Sequence, residues 1–193
     1  MIALILSKLS AGLCAVERLM LRILVAILAL SVLMNVLLRM IGITLAWADE
    51  VGIYAMVLTG FVGASLMLRA RIDPAVLLLH EFLPAPAVRG LRMGVSALSA
   101  IFGVLLIYLC IRWFDPVQMI AVGFDVKAFQ AATFNFIYTD RTAITGTPSY
   151  LLYLIIPYFA VAITLHAATN LCEDLGLVRR PLDPAGLVMD VSQ

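Results

Sequence analysis

Few side chains in this sequence have any claim to chemistry: His80 and His166, Cys14, Cys110 and Cys172, and a knot of charge made by Arg39, Asp49 and Glu50. His80 and Glu81 have no ligand-spaced partner and read as solvated or headgroup-facing groups; His166 has no partner His at bundle spacing, so haem ligation lacks support. The cysteines are odd in number, widely spaced and set in or beside apolar segments, which makes them structural thiols rather than a disulfide or metal set. Arg39 with Asp49 and Glu50 reads as an ion pair across a hairpin corner, worth about 0 to 1 kcal/mol if exposed. A glycine-rich phosphate loop, a serine elbow and spaced metal ligands are all lacking, as is a charged or His side chain in mid-span where an ion relay would need one. The chain is expected to carry no catalytic residue, cofactor or metal of its own.

The elements that must position these groups follow from composition. The chain has 193 residues, 64% hydrophobic and 13% charged, with mean hydropathy +1.09. Too little charged surface is available for a soluble domain, and no alternation suggests a barrel, so the fold class is an all-α integral membrane protein surrounded by lipid. A net charge of +1 without clustered Lys and Arg excludes a nucleic-acid partner.

Four transmembrane helices are expected at about 19–41, 48–68, 93–113 and 149–171, in a single domain over 1–175 followed by a flexible tail over 176–193. The first two meet in a polar corner, Gly42 to Glu50. No charge lies between Arg22 and Arg39 or between Glu50 and Arg69, so each approaches the roughly 20 apolar residues that cross a ~30 Å hydrocarbon layer. Short membrane-surface helices are expected over Met1 to Arg18, where Ile2, Ile5, Leu6, Leu9, Leu13 and Val16 recur at helical spacing, and over Ala75 to Phe82 between Asp73-Pro74 and the stops Pro84 and Pro86. The N-terminus is read as uncleaved, because the apolar run continues to Leu38. The stretch 115–147, rich in aromatics, is expected to be helical, either continuing the third span or folded along the interface. Pro157 predicts a kink one turn back, near Tyr153.

Small residues mark close-packing faces. The second span carries Ala55, Thr59 and Gly63 four apart, with Gly60 and Ala64 adjoining; this face serves packing within the chain or against another subunit. The third span pairs Ser96 with Ala100 and Ser99 with Gly103, and the fourth lines up Ala160, Thr164 and Ala168. Basic residues set orientation. With the N-terminus inside, Lys8, Arg18, Arg22, Arg69, Arg71, Arg89, Arg92, Arg179 and Arg180 are cytoplasmic, and Arg39, Arg112, Lys127 and Arg141 are not. This puts both termini in the cytoplasm.

Asn35-Val36-Leu37-Leu38-Arg39, Trp47-Ala48-Asp49-Glu50, the Gly60 and Gly63 pair, the connection from Arg69 to Leu79, and Thr147-Pro148 with Tyr153 to Pro157 resemble, in order and spacing, the small membrane subunit of tripartite ATP-independent periplasmic (TRAP) transporters. The likeness covers most of Leu19 to Leu171. Departures are Met40 in place of an aromatic, a missing His after the second span, and Tyr158 in place of Gly. The resemblance implies a subunit of the bacterial inner membrane that braces a large membrane subunit. That partner would hold the substrate and sodium sites, while a periplasmic binding protein delivers an organic acid. Asn35, Arg39, Trp47, Glu50, Ala55, Thr59, Gly60, Gly63 and Pro157 become candidates for the subunit interface. Asp125, Lys127, Asp140 and Arg141 become candidates for docking the binding protein, on a periplasmic segment that also exposes Phe124, Phe129, Phe134, Phe136 and Tyr138. The competing reading is an anchor or scaffold subunit of another membrane complex, such as a redox enzyme.

Overall fold

The computed structural model describes residues 1–72 and 84–187; the expected surface helix Ala75 to Phe82, with His80 and Glu81, lies outside them. The described chain forms seven helices: α1 (Ile2–Met40), α2 (Ala46–Ala70), α3 (Ala85–Phe114), α4 (Pro116–Ala121), α5 (Val126–Thr133), α6 (Tyr150–Tyr153) and α7 (Ile155–Asp174). Among the described residues the only β pairing is one isolated bridge, Arg141 to Pro148. Four helical stretches, Ile2–Met40, Ala46–Ala70, Pro86–Ala121 and Tyr150–Asp174, are long and apolar enough to cross a membrane.

The separate N-terminal surface helix is corrected: α1 is one unbroken helix of 39 residues, about 58 Å at 1.5 Å per residue. Nothing between Leu13 and Arg22 can end it, since that run holds neither Gly nor Pro and consists mostly of good helix formers. The apolar stripe expected to lie on a membrane surface is also the outer face here, with Ile2, Ile5, Leu9 and Val16 exposed, while Ser10, Cys14 and Glu17 turn inward and are buried. Apolar side chains outside and polar ones inside suit a helix whose solvent is hydrocarbon.

The helix ends are made by local chemistry. After α1, Gly42 takes φ +80° and Ile43 N–H reaches back to the Leu38 carbonyl, a turn that glycine enters without a Cβ clash. After α2 the same turn is made by Arg71 at φ +59°, with Ile72 N–H bonded to the Met67 carbonyl. Pro84 and Pro86 stand at the opening of a helix: Pro86 sits in the first turn of α3, where no backbone donor is needed. At the far end of α3, Asp115 is left-handed and its carboxylate accepts Gln118 N–H to start α4 behind Pro116. The third span therefore does not simply continue; the chain folds into the short helices α4 and α5, and the helix expected over the rest of 115–147 is not formed, residues 134–149 being turns and irregular chain with one bridge. Pro157 interrupts the last span where expected, with α6 ending at Tyr153 and α7 starting at Ile155.

The chain divides into two compact units, residues 1–21, 62–105 and 159–193, and residues 22–61 and 106–158. The first is organised around buried polar groups. The second has an aromatic core in which Met119, Phe129 and Ile137 are buried against Phe114, Val122, Val126, Tyr138, Tyr150 and Tyr153.

Candidate functional site: buried polar frames

In the first unit, Arg69 near the end of α2 faces Glu173 near the end of α7. Nη2 lies 2.6 Å from Oε1 and Nη1 3.1 Å from Oε2, a two-pronged pair with both side chains 1% exposed. Asn170, one turn earlier on α7, accepts from Arg69 at 2.5 Å and donates its amide to the Leu68 carbonyl at 2.9 Å. Arg71 adds a second layer, 2.6 Å from Asp174 and 3.6 Å from Glu173, and caps the Asn170 carbonyl at 2.7 Å. Arg89 and Ser96 of α3 bind the Asp174 carbonyl and carboxylate, respectively. The left-handed backbone at Arg71 thus has a use: the turn that ends α2 aims its guanidinium at α7. Charges removed from water are tolerated here because each meets an opposite charge and further hydrogen bonds.

A second cluster in the same unit centres on His166. Its Nδ1 lies 2.8 Å from Ser10 Oγ, and its Nε2 lies 3.1 Å from Glu17 Oε2 and 4.0 Å from Cys14 Sγ. All four side chains are buried. Neither cluster was found by reading spans one at a time. The available signal was the repeat Ser10, Cys14, Glu17, positions four and three apart that share one helix face, and the matching stripe His166, Asn170, Glu173. The tail expected to be flexible is tied to this unit as far as it is described: Arg18 donates to the Ala185 carbonyl at 2.9 Å, and Ala185 is fully buried.

In the second unit the corner ion pair is not formed. Among the described residues no salt bridge joins Arg39, which is exposed, to Asp49 or Glu50. Asp49 instead accepts from the Asn35 amide, and Glu50 accepts the backbone N–H groups of Ile144 at 3.3 Å and Thr145 at 2.7 Å. The backbone donors win because they are fixed in place by the turn from Thr142 to Thr147, whereas a surface arginine would lose side-chain freedom to pair.

Of the aromatic rings expected to be exposed, Phe124, Phe134 and Phe136 are, but Phe129 is fully buried and Tyr138 is half-buried. Tyr138 is the hub of the core: its ring meets Phe114, Phe129 and Tyr150 at 6.4, 5.2 and 5.5 Å, and its hydroxyl donates to the Phe114 carbonyl at 2.8 Å. Burial raises its pKa.

The remaining candidates scatter. Trp47 is nearly half exposed and Pro157 is half-buried; Ala55 is buried within the chain, and Thr59 is half-buried. A Cβ added at Gly63 would touch Leu21, while one at Gly60 would meet nothing within 4 Å. The small-residue set is therefore divided, with Ala55 and Gly63 turned to the chain's own neighbours and Gly60 and Ala64 outward. Asp125, Lys127, Asp140 and Arg141 are all exposed; Asp125 also caps α5, accepting from Lys127 and Ala128 N–H.

Membrane-length helices tied by internal ion pairs define a polytopic helical membrane protein. A model of the tripartite ATP-independent periplasmic transporters' DctQ component matches residues 28–177, and the chain belongs to that family. It is thus a small-subunit component of a TRAP transporter. Searches of curated proteins and of solved structures returned no match.

Proposed function

We propose that the chain braces the large subunit of a sodium-coupled TRAP transporter for organic acids in the bacterial inner membrane, with both termini in the cytoplasm, and helps dock the periplasmic binding protein. The observation that carries the bracing role is the inward pairing of its charges. Arg69, Arg71, Glu173 and Asp174 bind one another, so they stiffen the frame instead of serving a substrate, while Ile53, Met56, Met67 and the open Gly60 leave one side of α2 apolar and accessible. A helix surface of that kind suits close approach by another helix.

The docking role is supported by the exposed charges Asp125, Lys127, Asp140 and Arg141 beside exposed Phe124, Phe134 and Phe136, the mixture of rim charge and aromatic anchors typical of protein contacts. The test is co-purification of the large subunit with the chain, together with uptake by the assembled transporter as the binding-protein concentration is varied. Asp125→Asn, which keeps the cap, and Lys127→Glu, Asp140→Lys and Arg141→Glu should raise the concentration for half-maximal uptake without loss of assembly. Co-purification unchanged by Gly60→Leu would remove the bracing face, and four unchanged uptake curves would remove the docking role.

A further inference from the structure

The His166 cluster is more than a buried hydrogen-bond group. Cys14 Sγ, a Glu17 carboxylate oxygen and a His166 ring nitrogen lie within 4.8 Å of one another, and all three residues are buried. We propose that Cys14, Glu17 and His166 form a binding site for one divalent transition metal ion of the zinc class, which staples α1 to α7.

Three observations converge on a cation at this point. The donor set of one sulfur, one imidazole nitrogen and one carboxylate is the borderline-soft set that zinc takes. Bond lengths of about 2.0 to 2.3 Å around a tetrahedral ion put donor atoms about 3.3 to 3.6 Å apart, and the distances here, 3.1 Å from His166 Nε2 to Glu17 Oε2 and 4.0 Å to Cys14 Sγ, bracket that edge. Small side-chain rotations close the difference. Second, Glu17 Oε1 is buried and has no hydrogen-bond partner, an acceptor that a metal would satisfy either directly or through a bound water.

Third, Ser10 fixes the imidazole. Ser10 Oγ lies 2.8 Å from Nδ1; in the tautomer with its proton on Nδ1 the ring donates to Ser10, and Nε2 has a lone pair free on the side of Glu17 and Cys14. A metal ion selects this tautomer over the one in which Nε2–H donates to Glu17, and ligating histidines are commonly oriented by such a hydrogen bond on the other ring nitrogen. On binding, the Cys14 thiol gives up its proton to solvent and the thiolate ligates; no electron transfer is involved. The ligands are far apart in sequence, Cys14 and His166 being 152 positions apart, so one ion would join α1 to α7.

Co2+ is the probe, added to the full-length chain in detergent micelles. A thiolate-to-cobalt charge-transfer absorption should appear, saturate at one ion per chain, and vanish on addition of one equivalent of Zn2+. Cys14→Ser should abolish the band, Glu17→Gln and His166→Gln should weaken Co2+ binding at least tenfold, and Ser10→Ala should weaken it about 10- to 100-fold. The variant Cys110→Ala with Cys172→Ala leaves the site intact and must keep the full band. A wild-type chain without the band, a band that survives in Cys14→Ser, or one lost in the Cys110 and Cys172 variant would each overturn the proposal and leave an ordinary buried His–Glu pair.

Discussion

Glu50, near the start of α2, holds the backbone N–H of Thr145 at 2.7 Å from 95 positions away in the chain. A carboxylate bonded to the N–H groups of Ile144 and Thr145 fixes the turn between the short helices and α6. Its own environment is that of a receptor for backbone donors and not of an ion-pair partner for Arg39.

Glu50→Gln keeps one acceptor and introduces an amide N–H2 where two donors already point. It should cost about 1 to 3 kcal/mol, the range for leaving a buried donor poorly satisfied. Hydrogen exchange should speed up at Ile144 and Thr145 while α7 amides stay protected; equal protection in both forms would show that the turn holds itself.

Arg69→Met should destabilise the purified chain by about 3 to 5 kcal/mol, because Glu173 is then buried without its main partner. Adding Glu173→Leu should recover much of the loss, since an apolar pair of similar volume avoids the desolvation cost. Thermal unfolding of the single and double variants in one detergent measures this. A double variant as unstable as the sum of the singles would mean that the ion pair is not the unit.

The two glycine faces should respond oppositely. Gly103→Ala places a methyl against Thr164, whose hydroxyl it overlaps and whose backbone nitrogen it meets at 3.1 Å, so unfolding should come earlier by about 1 to 3 kcal/mol. Gly60→Leu enters open space and should leave unfolding unchanged while weakening co-purification with the large subunit. The reverse pattern would exchange the inner and outer faces assigned here.

Phe124 and Phe134 hold left-handed backbones, φ +63° and +54°, with rings 69% and 83% exposed. A bulky residue in that region costs of order 1 kcal/mol or more relative to its surroundings, and neither ring recovers it by burial within the chain. Phe124→Gly and Phe134→Gly should therefore leave stability equal or slightly higher. Uptake at limiting binding-protein concentration should nevertheless fall; uptake equal to that of the unaltered chain would mean that the rings are not docking anchors.

The spans were legible in the sequence because hydropathy and charge-free length are one-dimensional properties, and so was the break before Pro157, which follows from one missing donor. The continuity of the N-terminal segment with the first span is not legible in the sequence, for a physical reason. The wheel of Met1 to Arg18 is amphipathic, but its polar stripe, Ser10 and Glu17, faces other helices, and amphipathicity alone does not say whether water or protein meets the polar side. Proximity along the chain favours Arg39 with Asp49 and Glu50, and nothing beside the corner announces the distant turn whose Ile144 and Thr145 N–H groups take the Glu50 carboxylate. The His166 cluster needed α1 beside α7, which no single-helix pattern reveals, though the polar residues at Ser10, Cys14 and Glu17 held half of it.

The Arg69–Glu173 pair also dictates an order of events at the ribosome. The two residues are 104 positions apart, so at about 5 to 20 residues per second Arg69 waits roughly 5 to 20 s for its partner to be synthesised. Through that interval Arg69 is without Glu173, and the stable place for an unpaired guanidinium is the aqueous rim. The buried pair therefore closes only after α7 has been made. Chains cut short of Glu173 should leave Arg69 without its main partner, an exposed mark that the finished protein does not carry.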